Sequence, residues 1–399
     1  MKAREYALKV LQQVFQENGY ISLILRHSSF SKLDQAFISE LVYGTVRNKT
    51  YLEYQWKQFA KNKVSTYTTL LLDMSVYQLL YMDKTPNYAI INEAVDLAKK
   101  QDKGFVNAIL HKVEKQGLLQ SEDITVTTSH PEWIYRLWKA HYGEEIANKI
   151  VESDQEKACL FGRINTLKCT KEELHDHTFV NDYSFIADSN LFQTEEFLEG
   201  KVLIQDIHSA SIPLYLQVEK GMRVLDVCSA PGTKAQEIGM LMENEGELVA
   251  CDVYPQRVKL IEDLMKKTGV TICRTMCIDG TKEDNFEEKS FDRVLLDVPC
   301  SGLGDLSHKP EIRWHLKPEN LDTLVQTQRQ LLESNSRYVK DNGILVYSTC
   351  TLNKKENEMQ IKNFLSQHDD FTLLTEKTFF PFEEKGDGFY VAQLKRKQL

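Results

Sequence analysis

Along residues 1–118 the apolar positions recur at intervals of three and four. Ala7, Val10, Leu11, Val14 and Phe15 form one set, Phe37, Leu41, Val42 and Val46 a second, and Leu71, Met74, Tyr77, Leu79 and Leu80 a third. Such spacing lays one apolar stripe along each of several helices. Lys84-Thr85-Pro86-Asn87 breaks the pattern, and Gly104 opens the last helical run, which continues to Leu110. No stretch alternates with period two, so residues 1–120 are expected to be an all-α bundle. Residues 119–130 are polar and read as a linker. Between Pro131 and Val151 a helical pair returns, with Trp133, Leu137 and Trp138 on one helix and Ile146, Ile150 and Val151 on the other. Strand candidates at 162–167 and 183–187 flank a helical segment at 170–174, which makes 128–208 a small α+β region.

From Gly221 the pattern changes again, within a third region spanning 209–399. Five apolar runs, at 223–226, 247–252, 272–279, 291–297 and 343–350, each end in a polar or acidic residue. Helical stretches at 234–243, 255–268 and 321–340 separate most of them. Strands that are apolar nearly throughout and alternate with helices predict a parallel sheet covered on both faces. This is the Rossmann-like α/β plan, in which ligands bind at the carboxyl ends of the strands, where the polar residues fall. The fold class expected is multidomain: an all-α N-terminal bundle, a small α+β middle region and a C-terminal α/β domain.

Composition narrows the picture little. At 42% hydrophobic and 27% charged residues the chain has the make-up of a folded protein. It shows neither a signal peptide nor a run long enough to span a bilayer, so a cytoplasmic protein with no membrane partner, and a monomer, is expected. The net charge of −9 is uneven: residues 1–120 hold 16 Lys and Arg against 11 Asp and Glu. A mildly basic N-terminal module on an acidic body suits an RNA-binding attachment, although +5 over that length is also ordinary variation. Eight cysteines without a C-x-x-C pair make neither a disulfide scaffold nor a zinc site, and no metal is expected.

The loop Asp226-Val-Cys-Ser-Ala-Pro-Gly-Thr-Lys234 joins the first strand of the third region to its helix. With one glycine, Gly232, it lacks the amide-rich wrap that a phosphate needs, which disfavours nicotinamide and triphosphate ligands. Asp252, at the end of the next strand, is placed to accept both ribose hydroxyls, and Asp279 ends the third near an adenine amino group. An aspartate alone is more often a cap or turn residue. Three carboxylates at successive strand ends instead describe a pocket for an adenosine without phosphates, and S-adenosylmethionine is that ligand.

Two cysteines also lie just past strand ends. Leu296-Asp297-Val298-Pro299-Cys300-Ser301-Gly302 follows the fourth strand and Tyr347-Ser348-Thr349-Cys350-Thr351 the fifth. Carbon 5 of cytosine becomes nucleophilic once a thiolate adds to carbon 6, and a thiolate can leave again. A free thiol titrates near ~8.5, so the site must lower that value or supply a base. Asp297 is the candidate to protonate ring nitrogen 3, and Cys300 the candidate to assist release. Most free cysteines simply pack, and that reading is kept for Cys159, Cys169, Cys251, Cys273 and Cys277. Cys228 reads as a loop residue lending its backbone to the cofactor.

Asp-x-Cys-x-Ala-Pro-Gly-x-Lys at 226–234, Asp-x-Pro-Cys-Ser-Gly-x-Gly at 297–304, and Ser-Thr-Cys-Thr-Leu at 348–352 followed by Glu356-Asn357-Glu358 resemble the signatures of RNA cytosine-5 methyltransferases. The N-terminal region is similar to NusB-like RNA-binding domains through residues 40–47, 77–82, 91–95 and 104–110. Together these resemble the bacterial 16S rRNA methyltransferase B family over nearly the whole chain. The resemblance implies 16S rRNA as substrate, Cys350 as nucleophile, Cys300 in release, and Cys228, Ser229, Ala230, Pro231, Gly232, Thr233, Lys234, Asp252, Arg257, Asp279 and Asp297 as cofactor contacts. The chain departs from the family pattern at Thr233 and Ala235, at Ile207-His208, and at Ser307-His308, where two arginines are common and Lys309 and Arg313 are left as the local cations. Two alternatives stand beside this reading: a tRNA cytosine-5 methyltransferase, disfavoured by the NusB-like region, and a non-catalytic RNA-binding assembly factor, disfavoured by intact Cys350, Cys300 and Asp297.

Overall fold

A computed structural model describes residues 2–26 and 30–398. The chain divides into two compact units, one of residues 1–156 with 306–317, the other of 157–305 with 318–399. No helix among the described residues is long and apolar enough to cross a membrane.

The first unit is helical, as its periodicity predicts. Its helices include Ala3–Glu17, Lys32–Arg47, Thr66–Tyr81, Asn87–Leu97 and Lys103–Gln116. Ser31 and Ser65 cap two of them, each hydroxyl accepting a backbone N–H of the first turn. Thr66–Tyr81 is the central helix, buried on every side, and Leu70, Leu71, Leu72, Met74 and Val76 join one core with Leu11, Val42 and Leu110. Gly44 lets Lys32–Arg47 cross it closely, since a Cβ there would lie 1.9 Å from the Tyr77 ring.

Three expectations change in this unit. Residues 119–130 are not a free linker: Gln55 Nε2 and Tyr51 OH both donate to the Leu119 carbonyl, Ser129 Oγ accepts from Tyr51 N, and Ser129 and His130 are buried. Side chains of the helix Lys49–Lys57 thus fasten the start of the stretch at Leu119, and Arg313 and Gln155 donate to the Thr128 carbonyl near its end. The helices Glu132–Tyr142 and Glu144–Ser153, read as part of the middle region, fall on the helical side of the division into compact units. Residues 306–317, read within 209–399, pack here as well. Trp314 Nε1 donates to Val46 O at 2.9 Å, the His315 ring meets Val14 O at 2.8 Å, and Ile21 N donates to Glu311. Arg313 is therefore no surface cation. It is buried, its guanidinium donates to Thr128 O, and burial pulls its pKa down to about 10.

The second unit contains two sheets. The smaller is antiparallel in the order β2-β3-β1-β4, from β1 (Leu160–Ile164), β2 (Thr178–Phe179), β3 (Ser184–Ala187) and β4 (Val202–Ile204). The segment read as helix at 170–174 is a single 3₁₀ turn, Glu172–Leu174. The larger sheet is built from β5 (Arg223–Asp226), β6 (Glu247–Asp252), β7 (Cys273–Cys277), β8 (Phe291–Asp297), β9 (Val339–Thr349), β10 (Phe371–Phe379) and β11 (Phe389–Arg396). Its order is β10-β11-β9-β8-β5-β6-β7. The strands β5 to β9 are parallel, but β11 pairs antiparallel with β9 and β10 with β11, so the sheet is mixed rather than parallel throughout.

Side chains alternate between two cores. Leu225, Val249, Val294, Leu345 and Tyr390 pack on the face covered by the helices Pro318–Ser336 and Glu358–Leu365. Val224, Leu248, Leu295, Val346 and Val391 pack on the other, under Thr233–Leu241 and Pro255–Thr268. Period-two alternation with both faces buried is what makes each strand read as a continuous apolar run.

Candidate functional site

From β5 the chain steps outward to β6 and β7, then returns to β8 on the other side of β5. The direction of winding reverses between β5 and β8, and the crevice at their carboxyl ends is where such sheets bind ligands. Asp226 ends β5, and the loop 227–232 turns sharply into the helix Thr233–Leu241. Ser229 N donates to Cys251 O at 2.8 Å and Gly232 N to Ser229 O at 2.8 Å. Gly232 sits at φ +106°, a backbone conformation that favours glycine.

Asp226 is wholly buried and neither carboxylate oxygen has a hydrogen-bond partner. Burial pushes its carboxyl up to about 7; the nearby Ser229 hydroxyl and the Lys234 charge oppose the rise, and the charges of Asp297 and Asp252 add to it. A buried carboxylate without donors is costly unless a ligand supplies them. Asp252, nearly buried at the end of β6, accepts Tyr254 N at 3.1 Å. Arg257 lies 3.3 Å from Asp252 Oδ2 and donates to Ala230 O at 3.1 Å, bridging the end of β6 to the loop. Asp279 is different. It lies two residues beyond β7, exposed, and its Oδ1 accepts from Thr281 N and Thr281 Oγ1, which hold the carboxyl below the usual carboxylate range. Cys228 lies in the loop with its thiol pushed up by burial and by Asp226.

On the other side of β5, Asp297 ends β8 opposite Ser348 of β9. Its carboxylate takes Lys234 Nζ at 2.7 Å and Ser348 Oγ at 2.8 Å. Burial pulls the Lys234 ammonium down, but Asp297 and then Cys350 more than offset this and leave it raised. Cys300 Sγ and Cys350 Sγ are 3.2 Å apart, both reduced and half-buried. The Cys300 thiol is raised well above its ordinary value, first by the hydrogen bond to Cys350, then by burial. Cys300 therefore holds its proton and can direct it at Cys350 Sγ, while Lys234 carries positive charge nearby.

The predicted residues thus gather into two groups flanking β5: the loop 228–234 with Asp252 and Arg257, and Lys234 with Asp297, Cys300 and Cys350. Lys234 belongs to both. Of the cysteines read as packing, Cys169 and Cys251 are buried, whereas Cys277 is exposed because β7 is a sheet edge. Sequence reasoning counted Asp226 among the strand-end carboxylates and Ser348 and Glu356 within the signatures, but gave none of these, nor Gln328, a role of its own. Glu356 is wholly buried and accepts from Ser301, Gln328 and Asn353. The available signal was a polar run, 353–357, directly after an apolar strand.

Sheet order, loop and strand-end thiols define a Rossmann-like methyltransferase, here preceded by a NusB-type helical region. Residues 213–395 match the family model for 16S rRNA methyltransferase RsmB/F, residues 1–115 the NusB family, and residues 130–177 the RsmF/B-like ferredoxin-like domain. The protein of Bacillus subtilis (strain 168) described as "Probable ribosomal RNA small subunit methyltransferase B" is 33% identical over 99% of this chain and 98% of its own. The chain belongs to the ribosomal RNA small subunit methyltransferase B family. Among solved structures, PH0851 shares the fold over 99% of both chains at a TM-score of 0.82 and 22% identity. NSun6 from Pyrococcus horikoshii, solved with SFG, covers 67% of this chain and 99% of its own at a TM-score of 0.61 and 20% identity.

Proposed function

We propose that this chain methylates carbon 5 of a cytosine in 16S rRNA, with S-adenosylmethionine as donor, through a transient bond between Cys350 Sγ and carbon 6 of the base. The observation that carries the reading is the 3.2 Å contact between Cys300 and Cys350 beside the Lys234–Asp297 ion pair. The names of the relatives support rRNA as the substrate, and SFG, an S-adenosylmethionine analogue, supports the donor.

The donor fits the residues at the switch point. Asp226 offers two unpaired carboxylate oxygens, Asp252 a second carboxylate, and residues 228–234 the loop between them. Arg257 orients Asp252. Bound there, S-adenosylmethionine would supply an electrophilic methyl group. The chain's own residues manage the base. Cys350 Sγ bonds to carbon 6, the ring's 5,6 electron pair moves toward nitrogen 3, and that nitrogen takes its proton from the Lys234–Asp297 pair. Once carbon 5 carries the methyl group its hydrogen leaves as a proton to water, and the electron pair of that bond re-forms the 5,6 double bond. The carbon–sulfur bond breaks with its pair returning to Cys350, and nitrogen 3 hands its proton back to the Lys234–Asp297 pair. Cys300 assists this second stage. Cations on the helical region would hold the RNA by its phosphates.

Cys350→Ala is expected to abolish methyl incorporation into 16S rRNA while S-adenosylmethionine binding, followed by calorimetry, persists. Cys300→Ala should let attack proceed but stall release, giving a protein–RNA adduct that survives denaturing electrophoresis. Normal methylation by Cys350→Ala would overturn the assignment. Bisulfite mapping of ribosomal and transfer RNA from cells with and without the gene identifies the substrate.

A further inference from the structure

The segment that follows β9 is polar yet closed to solvent. Thr349, Thr351, Asn353, Glu356 and Asn357 have no exposed surface. At its centre the Glu356 carboxylate accepts four hydrogen bonds. Oε2 takes Ser301 N and Gln328 Nε2, both at 2.9 Å, and Oε1 takes Ser301 Oγ at 2.6 Å and Asn353 Nδ2 at 2.8 Å. These fill the acceptor positions that a carboxylate offers. The donors come from both thiol-bearing loops. Ser301 follows Cys300, and Gln328 also donates to Pro299 O at 3.0 Å, so the residues on either side of Cys300 are tied to one carboxylate. Ser301 Oγ gives its hydrogen to Glu356, so Thr351, next to Cys350, is the donor in the 2.6 Å contact between the two hydroxyls. Gly304 N closes the loop onto Cys350 O at 3.1 Å.

We propose that Glu356 is a positioning residue: its buried carboxylate locks the Cys300 loop to the Cys350 loop and sets negative charge behind Cys300, so that the anion needed for attack forms on Cys350. This rests on the function proposed above. The charge bears on Cys300 alongside its other neighbours. Cys350 and Glu356 both raise its thiol, the buried Tyr347 faces the same charges, and Lys234 and Asp297 lie on the Cys350 side. A carboxylate is required in this place. A glutamine would turn an N–H toward a donor already present, from Ser301 or Gln328, and would remove the charge.

The test compares wild type with Glu356→Gln and Glu356→Asp. Iodoacetamide labelling of the two cysteines is followed against pH by peptide mass spectrometry, without RNA or cofactor. In the wild type Cys350 should label faster than Cys300. In Glu356→Gln the preference should fall by about tenfold, the equivalent of one pKa unit, as Cys300 begins to ionise at lower pH. Glu356→Asp, which keeps the charge, should retain most of the preference. The turnover rate of Glu356→Gln on 16S rRNA should fall about tenfold or more, the rate equivalent of a lost buried charged hydrogen bond, with the KM for S-adenosylmethionine little changed. Should Glu356→Gln fail to fold, Ser301→Ala, which removes one of the four bonds and keeps the charge, should slow turnover and leave the labelling preference near wild type. An unchanged preference in Glu356→Gln, or unchanged turnover in Ser301→Ala, would overturn the proposal. A changed preference in a protein that methylates no cytosine would instead count against the proposed function and leave the positioning role standing.

Discussion

The helical unit and the α/β unit each bury an aspartate completely, and they treat it in opposite ways. Asp73, on the central helix, accepts Trp56 Nε1 at 2.7 Å and Lys49 Nζ at 3.2 Å. Burial raises its carboxyl, and Lys49 opposes the rise. At Asp226, at the end of β5, neither carboxylate oxygen has a close hydrogen-bond partner, and only the Ser229 hydroxyl beside it eases the cost of burial. The first is a closed account between protein groups, placed where helices meet. The second is left open where a sheet reverses its winding. A buried charge that is satisfied speaks of architecture, and one that is not points to a missing ligand.

That contrast can be broken experimentally. Asp73→Ala leaves the Trp56 indole N–H buried without a partner and takes one carboxylate from Lys49, so urea unfolding should show a loss of about 3 kcal/mol. Asp226→Asn removes a carboxyl that burial already disfavours in its charged form and that has no close partner to strand. Its unfolding midpoint should hold or rise, while affinity for S-adenosylmethionine, measured by calorimetry, should fall about tenfold as a charged acceptor is lost. A destabilised Asp226→Asn with unchanged cofactor affinity would erase the distinction between the two sites.

The smallest effect is on pH dependence. With its folded pKa near 7, Asp226 keeps a proton that the unfolded chain has already lost. The folded state therefore binds more protons, and stability should decline as pH rises from about 4 through about 7. Glu237, buried beside Arg163 and likewise raised to about 7, contributes with the same sign. Thermal unfolding across that range should show a shallower decline in Asp226→Asn, and a shallower one again in wild type saturated with cofactor.

Much of this was legible in the sequence because the physics was local. A 3.6-residue stripe closes the helical core, and apolar runs ending in Asp226, Asp252 and Asp297 set out the sheet and its ligand edge. Cys300 and Cys350 stood apart because each followed a strand in a loop of small and polar residues. What escaped depended on partners distant in sequence. β10 is an edge strand, mostly exposed, with too little apolar character to announce itself. Residues 119–130 look solvated until Tyr51 and Gln55 claim their backbone. Arg313 and Glu356 are charged, and composition places charge at the surface; only tertiary hydrogen bonds reveal them as interior groups.

The segment 306–317 carries a further consequence, for synthesis. Trp314 packs on the core of the helical unit, and Glu311 and Arg313 are sealed within that unit. A ribosome delivers these residues only after β8 has been made. Domains generally fold in the order in which they emerge, yet here the early helices leave the exit tunnel with the seat of an indole still vacant. Their final tightening must wait for a stretch of chain translated long afterward, though still ahead of β9, β10 and β11.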